Sequence, residues 1–280
     1  MFLLRVISRL PFRALYFFSD FLFLVSYRLI GYRKSIVIRN LERSFPEKTH
    51  EERRKIKKAF YFNLCDYAVE TLKLLTITDK ELKRRMIYKN PEIVDEYAAK
   101  NQSILIFASH QFNWEWLVAA GGLNLPIQID FVYQEQHNAF FNDFSLISRS
   151  RFGAYGIKRQ NVAREVVKRK DILRAIAIVA DQFPGHENDK RYWTKFLNQD
   201  TAFFQSINQM ATLTQYPVFY AAIKKVRRGY YELELIKIAE PPYDKENFNV
   251  VENYVQATEK LVRQHPDGWL WSHNRWKKRD

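Results

Sequence analysis

The sequence predicts an α/β protein in which helices flank a mixed, mostly parallel β-sheet. Three short apolar runs, at 103–109, 127–133 and 175–180, predict strands. The first and third of these runs are continuous, which is typical of strands buried on both faces of a parallel sheet. Segments with helical spacing lie between the runs, and this alternation of strands and helices indicates an α/β fold.

A hairpin makes the predicted sheet mixed. Residues 218–223 predict a further strand, and Arg228-Gly229 turn the chain into 231–235. The strict alternation of 231–235 is typical of a half-exposed antiparallel strand. We expect one more strand at 269–271, close to the end of the chain. The helices expected around these strands cover 113–121, 140–149, 161–170, 206–215 and 249–264.

The first third of the chain predicts helices. The stretch Leu10–Ile30 has the length needed to cross a bilayer, about 20 residues. However, Asp20 would lie near mid-span, at a cost of about 3 kcal/mol, and basic residues flank the stretch on both sides. We therefore expect a helix that lies on or dips into the cytoplasmic leaflet, with a plain core helix as the alternative. This gives two regions, an anchoring helix at 1–39 and one large domain at 40–280.

Three further helices should follow the anchor. Thr49 is a candidate N-cap for a helix that continues to about Leu75, because Glu51 and Glu52 lie in its first turn. Further helices are expected at 79–86 and 91–100.

Composition restricts the class of function. The 280 residues carry a net charge of +14, which favours anionic partners such as nucleic acid, acidic lipid, phosphorylated substrates or an acidic protein. Aromatic residues make up 16%, which suits a membrane interface. A single cysteine, Cys65, provides neither a disulfide nor a thiolate zinc cluster. The sequence has no HExxH motif and no glycine-rich phosphate loop, and we expect neither a metal nor another cofactor.

The most informative segment is 108–116, which follows the first buried strand and opens a helix. Open α/β sheets place their sites at this carboxyl edge. His110 and Glu115 can meet only if His110 lies in the turn and Glu115 in the first turn of the helix. A histidine held by a carboxylate is suited to act as a general base. The competing interpretation is a polar turn whose histidine only caps the helix.

The wider sequence resembles the bacterial lipid A late acyltransferases, part of a superfamily with an H-x4-D/E motif. The resemblance runs along nearly the whole chain. Besides His110 and Glu115, the matching segments are, in chain order, Asn40-Leu41 with Phe45-Pro46, Tyr133 with Asn138, Arg149-Ser150-Arg151, Asp181-Gln182 and Trp271–Arg279.

Two segments depart from the family pattern. Gln134-Glu135 replaces the family's Arg-Pro after the tyrosine, and Phe196-Leu197-Asn198 stands where Phe-Phe-Gly is usual. These changes leave the reaction class intact but put the identity of the acceptor in doubt.

The resemblance implies a glycerolipid-acyltransferase-like fold and acyl transfer at the cytoplasmic face of the bacterial inner membrane. The expected donor is an acyl thioester, usually acyl carrier protein, with coenzyme A as an alternative. The expected acceptor is a hydroxyl of a phosphorylated lipid A precursor. His110 would take the hydroxyl proton and Glu115 would orient His110.

Five further residues are expected to bind substrate or to support the site. Arg149 and Arg151 are candidates for the oxyanion or for phosphate, because guanidinium groups bind such oxygens bidentately. Asp181 and Gln182 end the strand 175–180 and should face the same edge as His110, either as substrate contacts or in support. Asn138 is carried over as a substrate-binding residue from the family pattern.

Two alternatives stay open at this level. One is an acyltransferase with another acceptor, such as a lysophospholipid or an aminoacyl lipid. The other is a non-catalytic basic protein that binds membrane or nucleic acid, although no nucleic-acid motif is present and we expect no nucleic-acid partner.

Overall fold

The computed structural model describes residues 1–277, and over this range the strands form two sheets. The larger sheet contains β1 (Met86–Tyr88), β2 (Ile104–Ala108), β3 (Gln128–Tyr133), β4 (Tyr155–Lys158), β5 (Arg174–Val179), β8 (Val218–Arg227) and β9 (Tyr230–Ala239). Its strand order is β1-β9-β8-β2-β5-β3-β4. Every neighbouring pair is parallel except the β8–β9 hairpin. The predicted mixed, mostly parallel sheet is confirmed.

Helices cover the sheet and precede it. They are α1 (Phe2–Ser8), α2 (Phe12–Phe23), α3 (Lys34–Ser44), α4 (His50–Lys73), α5 (Asp79–Arg85), α6 (Glu92–Ala99), α7 (Trp114–Asn124), α8 (Ala139–Ser150), α9 (Val162–Lys168), α10 (Ser206–Thr214) and α11 (Asn249–Gln264). Thr49 caps α4, where its side chain and Glu52 form a reciprocal capping box. All the helices expected between 49 and 264 are present, with ends within a few residues of the prediction.

Four strands escaped the sequence analysis. β1 and β4 have only 3 and 4 residues, too few to show a period. The second sheet is an antiparallel hairpin of β6 (Arg191–Phe196) and β7 (Gln199–Phe204), whose polar residues hide the alternation. Leu197 and Asn198 form its turn with φ of 49° and 65°, where the family pattern has glycine in the second position. Asparagine tolerates this left-handed conformation better than most residues.

The prediction of a closing strand at 269–271 is wrong. This segment makes one isolated antiparallel bridge, between Trp269 and Gln111, and otherwise follows turns. The apolar residues Trp269 and Trp271 are buried because they pack against aromatic side chains, so their burial did not indicate a strand.

Two hydrophobic cores lie on opposite faces of the large sheet. Ile104 and Ile106 of β2 pack into one core, and Leu105 and Phe107 pack into the other. All five residues of β2 are buried, because successive side chains of a strand point to opposite faces and both faces are covered. This explains why the strand appears in the sequence as a continuous apolar run.

The expected anchor stretch is divided in the structure. Pro11 precedes α2, which continues as a π-helix (Leu24–Ile30) and ends at Gly31 with φ 64°. Asp20 binds Arg228, at 2.7 Å between Oδ1 and Nη2, so its charge is paired within the protein. Within residues 1–277, no single helix is long and apolar enough to cross a membrane. One pair bent by 89°, Phe12–Ile30 with Lys34–Ser44, has the length and composition to do so.

Candidate active site

His110 and Asp181 are brought together by the register of two parallel strands. β2 pairs with β5 so that Ala108 lies opposite Val179. His110 and Asp181 each follow two residues later and leave the carboxyl edge of the sheet side by side. The Nδ1 atom of His110 lies 2.6 Å from Oδ1 of Asp181. The prediction that Asp181 faces the same edge as His110 is therefore confirmed.

The Asp181 carboxylate is buried and fully hydrogen bonded. Its Oδ2 accepts from the backbone N–H of His110 at 3.0 Å and from the indole N–H of Trp269 at 2.7 Å. Burial acts to raise the pKa of Asp181, but the charge and hydrogen bonds of His110, with the Trp269 bond, outweigh it and lower that pKa. An ionised Asp181 assigns the proton of the imidazole to Nδ1 and leaves a lone pair on Nε2. The His110 side chain is 17% exposed, so the ring is partly accessible from outside.

The segment after α11 is hydrogen bonded to the turn that contains His110. The N–H of Phe112 donates to Gly268 O at 2.8 Å, and the N–H of Leu270 donates to His110 O at 3.1 Å. Phe112 has a φ of 47°, which turns its ring over Gly268. A Cβ on Gly268 would lie 2.5 Å from that ring, so glycine is required at this close approach.

Glu115 does not orient His110 as we expected. Its carboxylate forms a two-pronged ion pair with Arg149, with both N···O distances 2.6 Å, and accepts from the Tyr67 hydroxyl at 3.3 Å. Asn113 caps α7, which starts the helix at Trp114 and directs Glu115 toward α8. Burial acts to raise the pKa of Glu115, but the charge and hydrogen bonds of Arg149 outweigh it and lower that pKa. His110 and Glu115 thus have different partners, although both lie at the start of α7.

Trp114 connects the His110–Asp181 pair with the Glu115–Arg149 pair. Its ring stacks on Tyr67 at 4.1 Å between centroids and contacts the His110 ring edge-on at 5.0 Å. Tyr67 in turn reaches Glu115. A small apolar recess adjoins these rings and is lined by Phe60, Asn63, Leu64, Tyr67, Phe112, Trp114, Gly268 and Leu270. Trp116, by contrast, is fully buried and donates to Glu70 O, so it belongs to the core.

The other residues expected in the site make separate contacts, and these residues are Gln182, Arg151 and Asn138. Gln182 contacts the ring directly, with its Nε2 3.3 Å from Nε2 of His110. Arg151 donates to the carbonyls of Leu74 and Ile77 and thereby fixes the turn after α4. Asn138 caps α8 by accepting from Phe141 N. Their proposed substrate contacts stay predictions, but each has a visible structural role.

His273 and Arg275 lie behind the site. The Nε2 of His273 accepts from the backbone N–H of Phe183 at 3.2 Å, and burial lowers the pKa of His273 to about 4. Arg275 is buried over the Phe203 ring, 4.6 Å from its centroid, and donates to Ala202 O. Both residues hold the chain beside Asp181. Lys278 and Arg279, the last residues of the closing motif, lie outside the described residues.

A second buried carboxylate, Glu70, supports the start of α7. It accepts from Asn113 at 2.7 Å, from Tyr231 at 2.8 Å and from Tyr16 at 2.9 Å. Glu70 thus links the N-terminal helix α2 to the cap of α7. Burial raises its pKa to about 7. The sequence analysis missed Glu70, Tyr67 and Trp269; the one available signal was that Glu70 recurs with Asn63 and Asp66 at helical spacing.

A histidine that a buried carboxylate holds at the edge of an α/β sheet is an arrangement suited to removing a proton from a substrate's nucleophile. The model of the bacterial lipid A biosynthesis acyltransferase family matches residues 1–278, and this chain belongs to that family. It is accordingly an acyltransferase of lipid A biosynthesis. A search of the curated proteins gives no match. Among residues 1–277, no group of three or more His, Cys, Asp or Glu side chains could hold a metal ion.

We expect Glu70→Gln to change how stability depends on pH. The pKa of Glu70 is about 7 in the folded chain against a usual value of 4.5. The folded chain therefore keeps a proton that the unfolded chain loses, and stability falls as the pH rises through this window. The loss should total about 3 kcal/mol and be absent from Glu70→Gln. Urea unfolding of both proteins at several pH values measures it, with exposed Glu47→Gln as the control; parallel pH profiles would contradict the assignment.

Breaking the Glu115–Arg149 pair should destabilise the fold. Glu115→Ala leaves the guanidinium of Arg149 in a largely buried site without its partner, which costs about 3–5 kcal/mol. Replacing both residues, as Glu115→Gln with Arg149→Met, should cost clearly less than the single change. Chemical denaturation of Glu115→Gln, Arg149→Met and the double variant measures the coupling, and a loss in the double variant equal to the sum of the two single losses would show that the pair is not coupled.

Proposed function

We propose that this chain transfers a fatty acyl group from an acyl thioester to a hydroxyl of a lipid A precursor, with His110 as the general base. The observation that carries the proposal is the hydrogen bond between Nδ1 of His110 and the buried carboxylate of Asp181. Family membership supports the reaction class, and the donor, the acceptor hydroxyl and the base are the parts proposed here.

The direction of proton transfer depends on which ring nitrogen of His110 carries the proton. Because Asp181 is ionised, Nδ1 carries the ring proton and Nε2 presents its lone pair to the substrate. The acceptor hydroxyl displaces the Gln182 amide from Nε2 and gives its proton to His110 as its oxygen attacks the thioester carbonyl. Asp181 stabilises the imidazolium that results. The tetrahedral intermediate then expels the thiolate, which takes the proton back from His110.

The Glu115–Arg149 pair supplies a fixed positive group beside the base. Nε and Nη2 of Arg149 each donate one N–H to Glu115, which leaves the N–H groups of Nη1 and the second N–H of Nη2 to donate to an oxyanion or a phosphate. In this proposal Glu115 acts through Arg149, since it holds the guanidinium in place.

The surface favours a membrane and an acidic donor. The net charge of +14 suits acyl carrier protein and the phosphates of the acceptor. Exposed apolar side chains on the N-terminal helices include Phe2, Phe17, Phe18, Phe21, Leu29 and Ile30. We therefore propose attachment to the cytoplasmic face of the inner membrane through residues 1–39.

One observation keeps another lipid acceptor as the second candidate. Glu135 pairs with Lys158 at 2.8 Å, and Gln134 contacts Arg159 at 3.5 Å. In the loop that departs from the family pattern, Glu135 thus neutralises Lys158 and Gln134 engages Arg159, two basic side chains that could otherwise bind phosphate. A less phosphorylated acceptor, such as a lysophospholipid or an aminoacyl lipid, would fit this loop. The non-catalytic alternative does not fit the family assignment.

His110→Ala and Asp181→Asn should each reduce acyl transfer at least about a hundredfold, because the first removes the base and the second removes the charge that fixes its tautomer. The assay is transfer from a labelled acyl thioester to lipid acceptor by the purified proteins. Exposed His50→Ala is the control and should retain full turnover. Normal turnover by His110→Ala would refute this mechanism.

Mass spectrometry of total lipids, with and without the gene, identifies the acceptor. We expect lipid A one acyl chain lighter in the deletion strain, restored by the wild-type gene and not by the His110→Ala gene. Unchanged lipid A together with the loss of an ester from another lipid would reject the lipid A acceptor and favour the second candidate.

A further inference from the structure

Helix α8 exposes an apolar surface that neither the core nor the catalytic site uses. Phe140, Phe141 and Ile147 are 41%, 54% and 40% exposed. Phe140, Phe144 and Ile147 follow the i, i+4, i+7 spacing of one helix face. Single apolar side chains are common on protein surfaces, but a set of this kind on one helix usually marks a contact surface.

The carboxyl end of α8 lies beside the N-terminal helices. It is held by Arg151, which donates to the carbonyls of Leu74 and Ile77. The carboxyl end of α1 is held at the same turn, where Lys73 and Thr76 donate to Ser8 O at 2.8 Å and 2.6 Å. Of the exposed apolar residues of α8, Ile147 is nearest to this turn, and Phe140 and Phe141 are in the first turn of the helix.

The charges around this turn fit an anionic lipid surface. Arg5 and Arg9 of the α1 region are exposed, as is Arg151 at the end of α8. Apolar side chains that insert into a leaflet, with arginine side chains at the level of the head groups, form the usual pattern of an interfacial helix.

We propose that α8 is a second membrane-contact element, which inserts Phe140 and Phe141 into the leaflet beside the catalytic site. The inference rests on the proposed membrane attachment and extends it to a helix outside residues 1–39. α8 also carries Arg149, whose guanidinium holds Glu115. The same rigid helix thus touches the lipid and bounds the site, so a lipid acceptor can reach His110 directly from the bilayer.

Site-specific fluorescence tests this contact on the full-length chain. Cys65 is buried, and burial raises the pKa of its thiol, so new surface cysteines can be labelled selectively. Phe141→Cys reports on α8 and Phe17→Cys on α2. Leu213→Cys on α10, which is 48% exposed, is the matched control. Each carries an environment-sensitive fluorophore and is mixed with phosphatidylethanolamine–phosphatidylglycerol vesicles, with or without brominated acyl chains.

The expected result is a blue shift and at least about twofold quenching by brominated lipid at positions 17 and 141, with neither at 213. Quenching at 17 alone would overturn the proposal, because the membrane would then contact only the N-terminal helices. Quenching at all three positions, or at none, would overturn it as well. The vesicle assay does not depend on acyl transfer. A result that refutes the α8 contact is therefore distinguishable from one that refutes the acyl-transfer proposal, which the turnover assay of His110→Ala tests.

Discussion

The pairing of β2 with β5 is the constraint on which the rest of the site depends. His110 and Asp181 each follow two residues after the paired residues Ala108 and Val179. At this position the Asp181 carboxylate can bind both the ring and the backbone N–H of His110. A buried carboxylate is costly unless its oxygens are hydrogen bonded. The indole of Trp269 supplies the third donor, which is why the segment after α11 returns to the edge of the sheet.

Helix α4 connects this edge to the N-terminal helices through a buried polar face. Asn63, Asp66 and Glu70 recur at helical spacing on it, and Asp66 and Glu70 are fully buried. Asp66 accepts from Ser19 of α2 and from Arg228 after β8. Glu70 accepts from Tyr16 of α2 and from the α7 cap. The N-terminal helices are therefore held by the groups that support the start of α7, and their position is coupled to that of the site.

The polar contacts of the site divide into two charge pairs with different chemistry. In the proposed mechanism, His110 is a base whose tautomer Asp181 fixes, and Glu115 holds Arg149 with donor capacity left toward the substrate. Trp114 lies between them and contacts both His110 and Tyr67. A hydroxyl that loses its proton and a carbonyl that gains negative charge need these two functions side by side.

The sequence by itself determined five of the seven strands of the large sheet, the helices between them and the location of His110, because buried strands and amphipathic helices leave periodic patterns in local sequence. It also placed Asp181 and Gln182 at the right edge, since both end a recognisable strand. The tertiary structure alone decided that Asp181 holds His110, while Glu115 binds Arg149. Asp181 is 71 residues from His110, and Arg149 is 34 residues from Glu115. Strand register and helix docking set those contacts, and neither leaves a signal in the residues nearby.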